Sequence, residues 1–339
     1  MKEEGGSHMG LFGAGKKKII IVIHGLANKP EKKLLEKWCR TSIREGLRTI
    51  GRRGLPFTMK LVYWADLLHE RPQDPHVTNK HSDTHLGDPY LPGDPAKYAT
   101  FTPSALKRNL LDRLEKKIDK MYFEEDSFIN FEKFANIVVR NLFKDLDIYY
   151  HKDCPVTRYR GLPARDAIRK RLAEALRRYA KRDILLIAHS MGTIISYDVL
   201  TRTTPDVTID TFITIGSPLG MPLVVKQILL EQGRDVSKGR QPVAPENIRT
   251  AWCNFSDLDD PVAINYSLGD DYLPNRAGIA PRDTVVYNNY ERNGDRSPHK
   301  LYGYLRAPEV ANTIYGFCVA GRAAFMVALG RFFGRLLGW

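Results

Sequence analysis

The sequence predicts an α/β protein built on a mostly parallel, doubly wound sheet of about six strands, with a helical insertion. Three observations carry that expectation. Residues 19–23 (Ile-Ile-Ile-Val-Ile) are all β-branched, a composition that suits a strand. Ile184-Leu-Leu-Ile187 is apolar without alternation, as a strand buried on both faces must be. Between such runs lie segments with apolar residues at helical spacing, and strands alternating with helices imply parallel crossover units.

The elements follow in order. After the first strand, residues 30–50 read as an amphipathic helix with Leu34, Leu35, Trp38, Ile43 and Leu47 inward. Residues 57–64 are the second strand. Residues 65–160 then break the alternation. Their first part is rich in Pro, Asp and His, hence loop, and two helical patterns follow it. In the first, Thr102 caps, Pro103 takes the first helical position, and Leu106, Leu110, Leu114 and Ile118 form a stripe. The second covers about 128–143. Residues 163–181 are a strongly amphipathic helix, with Ile168, Leu172, Leu176 and Tyr179 inward. Further strands are expected at 184–187, 211–215, 249–255 and 284–287, and a last helix near Ala307-Pro308.

The strand at 184–187 ends in Ala188-His189-Ser190-Met191-Gly192, and a helix begins at once. Strand, sharp turn with serine at the apex, then helix is the nucleophile-elbow pattern. Ala188 and Gly192 are the small residues needed where strand and helix backbones crowd. The turn lifts the Ser190 hydroxyl above the sheet, and the Met191 amide at the helix N-terminus faces the same spot.

A serine nucleophile needs a base, and the base needs an orienting acid. In a parallel sheet such groups gather at the carboxyl ends of strands. His24, His189 and His299 are the candidate bases. His24-Gly25 at the end of the first strand suits an oxyanion loop, with Gly25 leaving room and the Leu26 amide pointing inward. His189, beside the serine on a sharp turn, is expected to point away and to be structural. His299 follows the last strand, where the base belongs if the chain order is serine, acid, histidine. The acid is expected among Asp257, Asp259 and Asp260. Asp260 is favoured because Asp-Pro-Val fixes its turn, Asp257 is the runner-up, and Asp259 is expected to face solvent.

Totals narrow the partners. The formal charge of +13 invites acidic partners, yet there is no zinc-finger spacing and no RNA-binding signature. No nucleic-acid partner is expected. The four cysteines, Cys39, Cys154, Cys253 and Cys318, form no close pair, which argues for a reducing compartment and against a zinc site or disulfide framework. His81-Ser-Asp83-Thr-His85, near His69, Asp74 and His76, reads as solvated loop, so no metal and no cofactor is expected. Gly6-Ser7-His8-Met9 marks residues 1–9 as an expression-tag remnant.

Taken together, His24-Gly25-Leu26, Ala188-His-Ser190-Met-Gly192, Gly216-Ser217-Pro218, Asp260-Pro-Val262 and His299 near Tyr302-Gly-Tyr304-Leu305 resemble the α/β-hydrolase superfamily, in its serine esterase and lipase branch. The resemblance implies a minimal hydrolase core over residues 10–339. Within it Ser190 is the nucleophile, His299 the base and Asp260 the acid, with the Leu26 and Met191 amides as the oxyanion hole. Leu219 stands where lipases of the family often carry a histidine. The implied activity is cleavage of carboxylic esters with an apolar acyl group, a small-molecule or lipid ester, without a cofactor. The same groups also serve an acyltransferase, thioesterase or amidase. An idle hydrolase fold used for protein or membrane association is the rival from another class.

Insertions at strand ends of this fold make lids, so residues 65–160 are expected to be one. Its aromatics, Tyr98, Phe101, Tyr122, Phe123, Phe128, Phe131 and Phe134, are candidates for a substrate channel or for the insertion's own core. The tail at 330–339 is apolar and basic, with Arg331 and Arg335 four apart and glycines at 330, 334 and 338. With the overall charge it suits weak association with an anionic membrane surface. A cytoplasmic protein, peripheral to the membrane, is the expected setting.

Overall fold

A computed structural model describes residues 16–113, 146–233, 241–263 and 265–320. Six strands form one all-parallel sheet: β1 (Lys18–Ile23), β2 (Met59–Val62), β3 (Asp183–His189), β4 (Ile209–Ile215), β5 (Ile248–Ser256) and β6 (Pro281–Val285). Their spatial order is β2-β1-β3-β4-β5-β6. The chain leaves β1 for β2 on one side and returns to β3 on the other. The strand order therefore reverses between β1 and β3, and a crevice opens at their carboxyl ends.

Both faces of the sheet are buried, and the side-chain alternation of each strand divides it between two cores. Ile19, Ile21 and Ile23 face one core with Leu172 and Leu176 of α2 (Ala164–Arg178), Ile194 and Ile195 of α3 (Met191–Asp198), and Val224 and Ile228 of α4 (Pro222–Glu231). Ile20 and Val22 face the other, with Leu35, Cys39, Ile43 and Leu47 of α1 (Lys32–Thr49) and residues of α5 (Leu301–Arg306) and α6 (Pro308–Val319). This is why the strands read as unbroken apolar runs. The α1 stripe recurs every fourth residue, and Gly46 lets α1 and α5 touch, since a Cβ there would lie 2.9 Å from the Arg306 backbone.

The expected strands, and the expected helices that fall on described residues, are present with shifted ends; β6 begins at Pro281, three residues earlier than expected. Helices α4 and α5 were not anticipated. In the segment after β2, residues 105–113 are helical, capped not by Thr102 but by Ser104, whose hydroxyl accepts from the Lys107 amide at 3.2 Å, and the expected second helix at 128–143 lies outside the described residues. That segment leans on the chain after β5 and β6. Lys107 pairs with Asp259 and Lys97 with Glu291, while the Tyr290 hydroxyl donates to the Pro89 carbonyl at 2.7 Å. Tyr98 and Phe101 pack on Tyr287, with ring centroids 6.4 and 5.1 Å apart, and so belong to this seam. The other five aromatics, residues 1–9 and the tail at 330–339 lie outside the described residues. Among the described residues no helix is long and apolar enough to cross a membrane.

Candidate active site

Strand pairing sets the first half of the site. Ile23 of β1 pairs with Ala188 of β3, and His189 pairs with Ile215 of β4, so the loops after β1, β3 and β4 start side by side. Ser190 then takes φ 54° and ψ −129°, in the left-handed half of backbone space that a serine enters only under strain. The strain is held by the Ser190 amide, which donates to the Ile215 carbonyl at 3.1 Å, and by α3 beginning at Met191. Gly192 is required: a Cβ there would meet the His24 carbonyl oxygen at 2.9 Å. Gly25 is required equally, because its Cβ would lie 2.6 Å from that of Ser190.

His24 braces the loop after β1. The Trp64 amide donates to its Nε2 at 3.0 Å, so the ring proton is on Nδ1, which donates to the Gly25 carbonyl at 2.7 Å. The two groups of a trans peptide point in opposite directions, so a fixed Gly25 carbonyl also fixes the Leu26 N–H. Trp64 stacks on the imidazole at 4.9 Å, and its indole N–H donates to the His24 carbonyl at 3.0 Å. Burial, with Lys29 adding to it, pushes His24 down from the ordinary 6.5 to about 3, so the brace is neutral. Lys29 donates to the Leu26 carbonyl and, at 3.1 Å, to that of Ala27. Among the described residues, neither the Leu26 nor the Met191 amide has a protein acceptor. Two donors beside Ser190 are therefore left for an anion.

The second half comes from loops. His299 Nε2 lies 3.0 Å from Ser190 Oγ, and its Nδ1 lies 2.9 and 2.8 Å from the two oxygens of Asp260. A carboxylate only accepts, so Nδ1 carries the proton and the Nε2 lone pair faces the serine hydroxyl. The structure thus brings Ser190, His299 and Asp260 into one chain of hydrogen bonds. Gly216, at φ 53°, lets the loop after β4 pass beneath them; a Cβ there would sit 2.8 Å from Asp260 Oδ2.

Asp257, the alternative acid, is equally buried but engaged elsewhere. Its carboxylate accepts from Arg296 at 2.6 Å and from the Asn288 amide at 2.7 Å. Burial raises it above the usual carboxylate range, with Arg296 opposing. Asp259 is half exposed and pairs with Arg296 and Lys107.

His189 corrects the expectation that it points away from the site. Its ring is buried against His299, centroids 4.8 Å apart, and its Nε2 donates to the His299 carbonyl at 2.9 Å. The sharp turn swings it around onto the loop that carries His299. Burial, reinforced by the neighbouring His299, lowers its proton affinity well below the ordinary histidine range. The sequence reading also missed Trp64 and the Tyr304 hydroxyl, 2.6 Å from Asp260 Oδ2. Tyr304 stood inside a quoted motif, but nothing in the sequence marks an oxygen as aimed at a carboxylate 44 residues away.

Leu219, buried beside the Ser217 hydroxyl, supplies no titrating group at the position noted above, and its amide donates to the Ser217 hydroxyl oxygen at 3.2 Å. Met191, Leu219, Met221 and Val262 belong to one apolar cluster, against which Leu26 packs. Among the described residues no three His, Cys, Asp or Glu side chains group to hold a metal ion. His85 instead donates from Nδ1 to the Val77 carbonyl at 2.6 Å. No protein-family model matches the chain, and no curated protein does.

Proposed function

We propose that the protein is a serine hydrolase that cleaves carboxylic esters through an acyl-enzyme on Ser190, and that its fold is a minimal α/β-hydrolase core. One observation carries the reading: the unbroken run Ser190 Oγ, His299 Nε2, His299 Nδ1, Asp260, with spacings of 3.0 and 2.8 Å, at the apex of a strained strand-to-helix turn.

The hydrogen bonds support the following scheme. Ser190 Oγ attacks the ester carbonyl carbon as its proton passes to His299 Nε2. The imidazolium forms against Asp260, which stabilises it without taking the proton. The carbonyl oxygen gains charge and accepts from the Leu26 and Met191 amides. Each such donor contributes about 3 kcal/mol to the barrier reduction. Collapse of the tetrahedral intermediate breaks the bond to the alcohol, which leaves with the proton from His299. Water, deprotonated by the same histidine, then releases the acid and restores the Ser190 hydroxyl.

A fluorophosphonate probe tests this directly. It should label Ser190 and no other serine, and the protein should hydrolyse p-nitrophenyl esters of graded chain length. Labelling elsewhere, or full turnover by Ser190→Ala, overturns the assignment.

A further inference from the structure

The Asp260 side chain is fully buried, and a carboxylate there stays ionised only if donors replace water. Besides His299 it has two. The Val262 amide donates to Oδ1 at 2.9 Å, and the Tyr304 hydroxyl donates to Oδ2 at 2.6 Å. The direction of the second bond is forced. Tyr304 Oη already accepts the Asp257 amide proton at 3.0 Å, so its single proton goes to Asp260. The ring cannot swing away either: it is buried on α5, and its Cε2 lies 3.0 Å from where a Gly216 Cβ would be.

We propose that Tyr304 is a positioning residue, its hydroxyl fixing the Asp260 carboxylate against His299 and moderating how strongly that carboxylate holds the imidazole proton. The inference rests on the acyl-enzyme reading, since Tyr304 touches none of the reacting atoms and acts through Asp260. Burial and the adjacent Asp260 push the phenol well above its usual range, so it persists as a neutral donor.

The charged and titratable groups around the pair come from several elements. The loop after β5 brings Asp257, paired with Arg296 from the loop that carries His299. That loop also brings Lys300, paired with Asp88. Strand β3 ends in His189, and Lys29 lies on the loop after β1. Tyr304→Phe keeps the ring and leaves these groups in place, while Asp260 loses one donor. A carboxylate with fewer donors stabilises the imidazolium more, so the base is blocked by protonation up to a higher pH.

The test compares full-length wild type, Tyr304→Phe, and protein carrying 3-fluorotyrosine, a stronger donor, at position 304. Two readouts are used: the pH profile of kcat/KM on a p-nitrophenyl ester, and NMR titration of the His299 ring. In Tyr304→Phe the acid limb and the ring titration should move up by roughly half to one pH unit. Its plateau kcat should fall about tenfold with KM held within about twofold. With 3-fluorotyrosine both pH readouts should move down, which keeps the test decisive if the Phe variant does not fold. Unmoved pH readouts in the folded variants make Tyr304 a packing residue and overturn the proposal. Wild-type protein that turns over no ester sinks the acyl-enzyme reading instead, while the His299 titration still decides the part played by Tyr304.

Discussion

On the β1–β3 side of the site, position is inherited from the sheet; on the β5 side it is made by side chains. Gly25 and Ser190 meet because Ile23 pairs with Ala188 one residue before the turns begin. The hydrogen bonds that finish this half all end on backbone groups: the Ser190 amide on the Ile215 carbonyl, and the side chains of His24, Trp64 and Lys29 on the main chain of the β1 loop and of Trp64. Asp260 and His299 stand on loops 39 residues apart, and no strand ladder reaches them. What holds them is a buried polar web: Arg296 on Asp257, Tyr304 between Asp257 and Asp260, and the His189 ring on the His299 carbonyl. A ladder fixes geometry through many small equal bonds. A web does it through a few strong ones, each costly to lose.

This division fails at its root if Ser190 is not the nucleophile. Ser190→Ala should lower kcat by roughly 10⁶-fold, measured on a p-nitrophenyl ester. On the loop side the two buried aspartates should part company. Asp260→Ala should cost about 10⁴-fold in kcat. Asp257→Ala should cost under about tenfold, and appear instead as about 3 kcal/mol of lost stability in urea unfolding, because Arg296 loses its buried partner. An Asp257 variant that is the less active of the two would move the acid to Asp257.

On the sheet side, Gly25→Ala places a Cβ 2.6 Å from that of Ser190. If the loop after β1 supplies the proposed oxyanion donor, displacing it in this way should lower kcat/KM by about 10²-fold and slow fluorophosphonate labelling in parallel. Labelling at the wild-type rate would show that the loop absorbs the methyl group.

The smallest effect concerns pH. His24 titrates at about 3 in the fold against the ordinary 6.5, so between those values the unfolded chain binds the extra proton. Its contribution to stability is complete above about 6.5 and is lost as pH falls toward about 3. His189, lowered in the same direction, adds to that slope. Urea unfolding at pH 7.5 and at pH 5 should show wild type weakening more than His24→Gln; equal losses would remove His24 from the acid response.

Much of the architecture was legible in the amino-acid order. The unbroken apolar runs of β1 and β3 could only be strands covered on both faces. Ala188 and Gly192 around Ser190 announced a crowded turn, and Asp-Pro-Val pointed to Asp260 among three neighbouring aspartates. Each of these is a local statement, settled by side-chain size, backbone freedom or periodicity within about ten residues. The short helix α5 was not legible, because its six residues, Leu-Tyr-Gly-Tyr-Leu-Arg, include a glycine and are buried throughout, leaving no polar face to give a period. Nor was the turn of His189 onto His299, since its direction depends on a loop 110 residues later. The same holds for Trp64 behind His24 and Tyr304 on Asp260. Sequence by itself determined the strands of the sheet and the crowded strand-to-helix turn at Ser190, because those follow from side-chain size and local sterics. Packing alone decided which oxygen faces which nitrogen, because that depends on where distant loops come to rest once both cores have closed.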